Sequence, residues 1–165
     1  AIWHDFFYTE LTTGLRRGEI CSLMWRDFDG KAGTLKVCRT LHSKKLGVFS
    51  LGDTKTGMGT RTIVLPHSTA ELLRQRKKHS ISHWIFQNPI KPELPTSPAT
   101  AYNHLKTLLK QANLPDIRFH DLRHPDVKLS TKNKRCEFHL KTQPQTTKQE
   151  LIVWGLCFYY PRYRY

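Results

Sequence analysis

The segment that starts at residue 119 reads Phe119-His120-Asp121-Leu122-Arg123-His124, and the sequence changes character where it ends. It places two imidazoles and one guanidinium within about two helical turns. A second group of charged residues lies upstream in Thr13-Gly14-Leu15-Arg16-Arg17-Gly18-Glu19. Residues 1–124 show regular helical and strand patterns, whereas residues 125–165 do not. We therefore expect one folded domain over residues 1–124, in which the two charged segments form a single site.

The composition indicates a basic protein of one domain. Its 165 residues include 27 Lys and Arg against 13 Asp and Glu, a formal net charge of +14. Basic residues recur in every segment rather than in one tail. An excess of this size predicts an anionic partner, and nucleic acid is the commonest one for a soluble chain.

The cysteines and the apolar runs exclude several other classes of protein. The four cysteines form no CxxC pair, which argues against a zinc site and against a dense disulfide framework. Reduced thiols fit a cytoplasmic protein. No apolar run approaches the ~20 residues that a membrane span needs, so no membrane partner is expected. Because core-like aromatic residues such as Trp3 and Phe6 follow Ala1 so closely, we expect the chain to begin inside a larger protein.

Hydrophobic periodicity predicts an α+β fold in which most elements are helical. Helical spacing of apolar residues favours helices at residues 1–13, 16–25, 67–79 and 98–112. Alternation with a period of two favours strands at residues 34–41, 48–51 and 61–65, which would form one small three-stranded antiparallel sheet. Lys55 would lie near the tip of the last hairpin. Residues 84–86 are expected to form a short buried strand or turn.

The third helix carries a run of basic residues, expected on its solvent face. These are Arg74, Arg76, Lys77 and Lys78. Such a face is most often only solvated, but it also suits a DNA backbone.

Four side chains suggest phosphoryl transfer without a metal. Arg16 and Arg123 would each offer a planar fork of donors that matches a phosphodiester. His120 would move a proton near neutral pH, and Lys55 would protonate a leaving oxygen. For Arg16 and Glu19, a solvated salt bridge between residues three apart remains the simpler alternative. A zinc pair of His120 and His124 is disfavoured because no third ligand follows at a suitable spacing.

Three motifs in order resemble the tyrosine recombinases, the phage integrase family. The first is Thr13-Gly14-Leu15-Arg16-Arg17-Gly18-Glu19-Ile20, followed by Leu23-Met24-Trp25-Arg26-Asp27-Phe28-Asp29. The second is Thr54-Lys55-Thr56 with Thr60-Arg61-Thr62-Ile63-Val64-Leu65, similar to the lysine-bearing hairpin of the family. The third is the opening segment, similar to the HxxRH signature. The resemblance covers residues 1–124 and implies the family's catalytic-domain fold.

The resemblance also implies a role for each residue. Arg16 and Arg123 would grip the scissile phosphate of double-stranded DNA, and Glu19 would support the site by hydrogen bonding. Lys55 would be the general acid for the leaving 5′-hydroxyl, while His120 assists proton transfer. A tyrosine would attack the phosphate to give a 3′-phosphotyrosyl intermediate. No metal or other cofactor is implied, and the family assembles on DNA as a tetramer.

Residues 125–165 depart from the family pattern. The family continues its helix after HxxRH, whereas this chain has Pro125, which disrupts a helix interior. No Gly-His element follows, and the nucleophile cannot be chosen among the tyrosines Tyr159, Tyr160, Tyr163 and Tyr165. We expect an irregular tail, produced by a frameshift or a truncated gene copy. Another reading frame after codon 124 should then encode the missing helix, Gly-His and tyrosine.

The sequence therefore favours site-specific DNA recombination, in the integration or excision of a phage or mobile element, by a chain impaired in its tail. The alternative is a catalytically inactive remnant that still binds DNA.

Overall fold

The computed structural model describes residues 2–43, 49–53, 59–112 and 116–123. Within these ranges the elements are four α-helices, five strands and two short 3-10 helices. The α-helices are α1 (Ile2–Thr13), α2 (Arg17–Cys21), α3 (His67–Lys78) and α4 (Pro98–Gln111). The strands are β1 (Phe28–Asp29), β2 (Thr34–Val37), β3 (Arg39–Ser43), β4 (Phe49–Asp53) and β5 (Arg61–Val64). The 3-10 helices are Trp25–Asp27 and Phe119–Arg123.

A three-stranded antiparallel sheet is present, as predicted, but its strands are not those expected. Its order is β1-β2-β5, and β3 and β4 form a separate two-stranded antiparallel sheet. The prediction of one strand over residues 34–41 was therefore wrong, since that stretch is divided at Cys38 between the two sheets. The segment 48–51 was wrongly placed beside 61–65, because β4 pairs with β3.

The break after β2 has a local cause in the contacts of Arg39. Its carbonyl accepts a hydrogen bond of 2.8 Å from Ser22 Oγ, and its guanidinium pairs with Asp27. These contacts hold the start of β3 against the end of α2. Gly18 permits the same approach, because a Cβ there would lie 2.5 Å from Thr40 Oγ1 and 2.8 Å from the carbonyl oxygen of Leu41. Helix α2 thus packs directly on β3.

The second helix is shorter than predicted, ending at Cys21 rather than near Trp25. The residues that follow pair across the chain instead. Ile85 N donates to the carbonyl of Leu23 and Trp25 N donates to the carbonyl of His83, both at 3.0 Å. The predicted short buried segment around Trp84 is confirmed, and it supplies the partner that ends the helix.

The core is built on the predicted apolar faces of α1 and α4. Phe6 and Phe7 of α1 are 0 % and 2 % exposed, and Phe6 makes an edge contact with Phe86 at 5.1 Å between ring centroids. Helix α4 begins as expected, with Ser97 Oγ accepting a hydrogen bond from Thr100 N at 2.9 Å and Pro98 in the first turn. Its apolar stripe, Leu105, Leu108 and Leu109, is buried.

Helix α3 is confirmed, but its basic face is only partly a solvent face. Arg74 Nε donates to the carbonyl of Gly30 at 2.7 Å. Arg76 donates to the carbonyl of Ile85 at 2.8 Å and to Asp5 Oδ2 at 2.9 Å. The two arginines therefore brace the domain, and the exposed cations of this run are Lys77 and Lys78.

Candidate functional site

The first predicted segment forms the junction between α1 and α2. Helix α1 ends at a turn in which Gly14 adopts φ +61°, a conformation that residues with a side chain rarely adopt. The chain then extends through Arg16, which is the N-cap residue of α2. The side chain of Arg16 is 66 % exposed, so its guanidinium is accessible from solvent. The role that the sequence predicts for Arg16 in binding a phosphate remains a prediction.

The carboxylate of Glu19 holds Arg16 in place. Its buried carboxylate, 2 % exposed, accepts a hydrogen bond from Arg16 N at 2.8 Å and another from Arg16 Nη1 at 3.1 Å. The backbone contact caps the first turn of α2, and the side-chain contact orients the guanidinium. The pair is therefore more than a solvated salt bridge, because one partner is almost fully buried.

Arg61, which the sequence patterns did not single out for the site, completes this arrangement. From β5 it donates to both oxygens of Glu19, with Nη1–Oε1 at 3.0 Å and Nη2–Oε2 at 2.9 Å. Two parallel hydrogen bonds of this kind fix both the position and the plane of a carboxylate. Arg61 lies within the second quoted motif, but 42 residues separate it from Glu19. Nothing in local periodicity connects the two residues.

The pKa of Glu19 reflects these contacts. Burial alone would raise it, because a buried charge loses hydration. The hydrogen bonds and charge of Arg61, together with the N–H of Arg16, outweigh burial and lower the pKa from 4.5 to about 2. The carboxylate is therefore ionised at every physiological pH, and Arg16 and Arg61 are held by a permanent negative charge.

We expect Glu19→Gln to remove an acid-dependent part of the stability. Because the folded pKa lies below the unfolded value, ionised Glu19 stabilises the fold fully above about pH 5. This contribution, about 3 kcal/mol for a shift from 4.5 to about 2, is lost as the pH falls toward 2. Urea unfolding between pH 6 and pH 2 measures it, with the exposed Glu93→Gln as the control. A constant difference between wild type and Glu19→Gln across this range would contradict the prediction.

The second predicted segment forms a 3-10 helix, Phe119–Arg123, rather than two α-helical turns. Phe119 and Leu122 point inward and are 5 % and 1 % exposed, whereas His120 is exposed. Asp121 Oδ2 accepts a hydrogen bond of 2.8 Å from Arg118 N at the start of this helix. The imidazole of His120 is therefore presented to solvent on a short anchored turn that ends at Arg123.

Arg17 connects the two segments. Its guanidinium lies 5.9 Å from the ring centroid of Phe119 and 5.8 Å from that of Tyr102 on α4. Phe119 also packs on α1, with ring centroids 6.4 Å from Phe6 and 6.2 Å from Phe7. The residue after Arg16 thus touches the residue before His120, and the structure brings the two segments together as predicted.

Other predicted site residues fall outside the described residues. They are Lys55, His124 and the four tyrosines Tyr159, Tyr160, Tyr163 and Tyr165. Within the described ranges, no cluster of three or more His, Cys, Asp or Glu side chains could hold a metal ion. In the same part of the chain, no helix combines the length and apolar character needed to cross a membrane.

Comparison with known proteins decides the family. The sequence model of the phage integrase family matches residues 6–127. The chain belongs to this family. It is also 27 % identical over 143 residues to the ICEBs1 integrase of Bacillus subtilis (strain 168), an alignment that covers 78 % of this chain and 37 % of that protein. The chain thus spans well under half the length of this curated relative.

Solved structures show the same fold. The Tn1549 transposon integrase, in complex with transposon right end DNA, superimposes with a TM-score of 0.66 at 21 % identity. This match covers 73 % of our chain and 43 % of the other. XerA recombinase gives a TM-score of 0.51 at 21 % identity, covering 72 % of our chain and 39 % of the other. The predicted fold, a tyrosine recombinase catalytic domain with a small antiparallel sheet, is confirmed.

Proposed function

We propose that this chain is part of a site-specific tyrosine recombinase that cuts and rejoins double-stranded DNA as a mobile element integrates or excises. The observation that carries the proposal is the arrangement around Glu19. Its buried carboxylate holds the exposed guanidinium of Arg16, and the adjacent Arg17 contacts Phe119 in the 3-10 helix that carries His120. An exposed guanidinium on a fixed carboxylate suits a phosphodiester, because its orientation is set before the substrate arrives.

The proposed mechanism divides the reaction among residues of both segments and of the second motif, which contains Lys55. Arg16 and Arg123 would bind the scissile phosphate and offset the charge that grows in the transition state. A tyrosine would attack phosphorus, forming a 3′-phosphotyrosyl bond and releasing the 5′-oxygen, which Lys55 would protonate. His120, exposed on its turn, would assist proton transfer. Attack by a 5′-hydroxyl on the phosphotyrosyl bond would then rejoin the strands and release the tyrosine.

The proteins that this chain resembles support the proposal, because they are themselves integrases. One is an integrase of Bacillus subtilis, and another is a transposon integrase bound to transposon end DNA. We infer a DNA-associated protein of the cytoplasm that assembles on its site as a tetramer. The second candidate, a module that binds DNA without cleaving it, is favoured by Pro125. This residue interrupts the family pattern directly after the HxxRH motif.

A nicked suicide substrate distinguishes the two candidates. We expect covalent protein–DNA adducts on a duplex that spans the end of the element carrying this gene. Arg16→Ala or Arg123→Ala should reduce adduct formation by about 10²-fold or more, because each removes a donor to the transition state. Arg118→Ala is the control, an exposed arginine in the same region.

Each other outcome has a definite meaning. Salt-sensitive DNA binding without adducts would overturn the enzyme and favour the binding module. Adducts that persist at wild-type rates in Arg16→Ala would contradict the role given to Arg16. Absence of salt-sensitive binding would exclude both candidates.

A further inference from the structure

An open groove of about 780 Å³ lies on the side of the sheet away from Glu19. In β2 and β5, Val37 pairs with Arg61 and Lys36 pairs with Thr62. Side chains alternate between the two faces of a sheet, and buried Val37 places Arg61 on the inner face. Lys36 and Thr62 therefore lie on the outer face, where both line the groove. The groove is distinct from the proposed catalytic site.

The groove is strongly basic. The cationic residues that line it are Arg26, Lys31, Lys36, Arg74, Lys77 and Lys78. Two acidic residues, Asp27 and Asp29, also line it, and Asp27 already pairs with Arg39. Asp29 accepts hydrogen bonds from the backbone N–H groups of Lys31 and Ala32. The acidic groups are thus committed to local contacts, and the cations exceed them by four.

Only some of these cations have a role in stabilising the fold. Lys77 and Lys78 lie in the last turn of α3, where cations stabilise the helix dipole. Arg74 donates to Gly30, which fixes the wall between α3 and the β1–β2 turn. Neither role explains Lys36 on β2 or Arg26 beside β1, both of which are exposed on the same groove. Arg74 also pairs with Glu71, and Asp29 interacts electrostatically with Lys31 and Lys77. The six cations from a helix, a turn and a sheet still outnumber these two carboxylates and Asp27.

We propose that this groove binds the phosphate backbone of duplex DNA outside the cleavage site, an inference that rests on the proposed function. Lysine and arginine with neighbouring threonine hydroxyls, here Thr34 and Thr62, are the groups that contact phosphate and position a duplex without reading its sequence. Regularly spaced phosphates match cations distributed along a groove. An acidic polypeptide is the competing occupant. Its carboxylates are carried on flexible side chains, which would have to be ordered on binding.

The test compares two double variants of equal charge. The groove variant is Lys36→Ala with Lys77→Ala, and the control is Lys91→Ala with Lys110→Ala, both exposed and outside the groove. Lys110 lies in the last turn of α4 as Lys77 does in α3, so loss of a helix-dipole contact is matched. Binding of a 30-base-pair duplex of arbitrary sequence is measured by fluorescence anisotropy from 50 to 300 mM NaCl.

We expect the groove variant to reduce the magnitude of the negative slope of log K against log salt by about 1.8, with a roughly 30-fold weaker Kd at 150 mM. The control should change the slope by much less. If both variants weaken DNA binding equally, or if neither weakens it, the proposal that the groove binds DNA is overturned, while the proposed function is unaffected. Wild-type protein that binds no duplex would instead overturn the proposed function. Displacement of the DNA by polyglutamate of matched charge at equal concentration, in wild type but not in the groove variant, would assign the groove to an acidic polypeptide.

Discussion

Replacing Arg61 by methionine is expected to destabilise the fold by about 2–3 kcal/mol, because it leaves the buried carboxylate of Glu19 without its bidentate partner. The cost stays below that of breaking a fully buried pair, because the Arg61 side chain is 37 % exposed. Methionine preserves most of the side-chain length, so loss of the charge dominates over loss of volume. Lowered stability should appear as a lower urea midpoint at pH 7. A stability of 5–15 kcal/mol is typical of a domain, so the loss is a large part of the total.

The control for Arg61 is Lys36→Met, which removes an exposed cation from the strand paired with β5. We expect this change to stay within about 0.5 kcal/mol of wild type. The pH dependence provides a second measurement. If Arg61 lowers the pKa of Glu19, the cost of Arg61→Met should decrease as the pH falls from about 5 toward 2, the range over which the stabilisation by ionised Glu19 is lost. Equal costs for the two methionine variants at pH 7 would refute the assignment.

Replacing Phe119 by alanine is expected to cost about 3–5 kcal/mol and to displace the turn that carries His120. The ring is 5 % exposed and packs between α1 and the guanidinium of Arg17, so its removal leaves a cavity under the 3-10 helix. The 3-10 helix that carries His120 would then lose its contacts with α1 and with Arg17. Phe119→Leu, which keeps most of the buried apolar volume, should cost clearly less than the alanine variant.

Arg17→Met separates the two contacts of Phe119. It removes the cation–π interaction but leaves the ring in the core, and we expect a cost of about 0.5–1 kcal/mol. Thermal and urea unfolding of the three variants rank their losses of stability. Adduct formation shows whether displacement of His120 also lowers activity. If Phe119→Ala costs less than Arg17→Met, the 3-10 helix is not anchored as described.

Local sequence patterns were sufficient for most of the helical framework. The apolar spacing of α1 and α4, and the Ser97-Pro98 start of α4, predicted these helices nearly to the residue. The sequence patterns also singled out Arg16, Glu19 and His120, which lie in short contiguous segments and whose functional roles remain predictions. Arg123 ends the 3-10 helix that presents His120, and its role remains a prediction, as does that of Lys55.

Pairing between distant segments was not predictable in the same way. An alternating pattern over residues 34–41 indicates extended chain, but it does not specify which partner each half will have. Helix α2 stops at Cys21 because backbone groups of Leu23 and Trp25 pair with residues sixty positions away, not because of a local stop signal. The helical pattern placed Arg74 and Arg76 on the solvent face of α3. It could not show their hydrogen-bond acceptors, the carbonyls of Gly30 and Ile85, because these lie in other parts of the chain.

The sequence by itself determined the helical framework, the basic character and the family motifs, since these depend on residue type and on spacing within one segment. Only the tertiary structure decided that Arg61 holds Glu19 and that cations from separate elements share one groove. The physical reason is that hydrophobic periodicity sets which face of each element is buried. The partner of a buried charge depends instead on how elements far apart in the chain come to lie side by side.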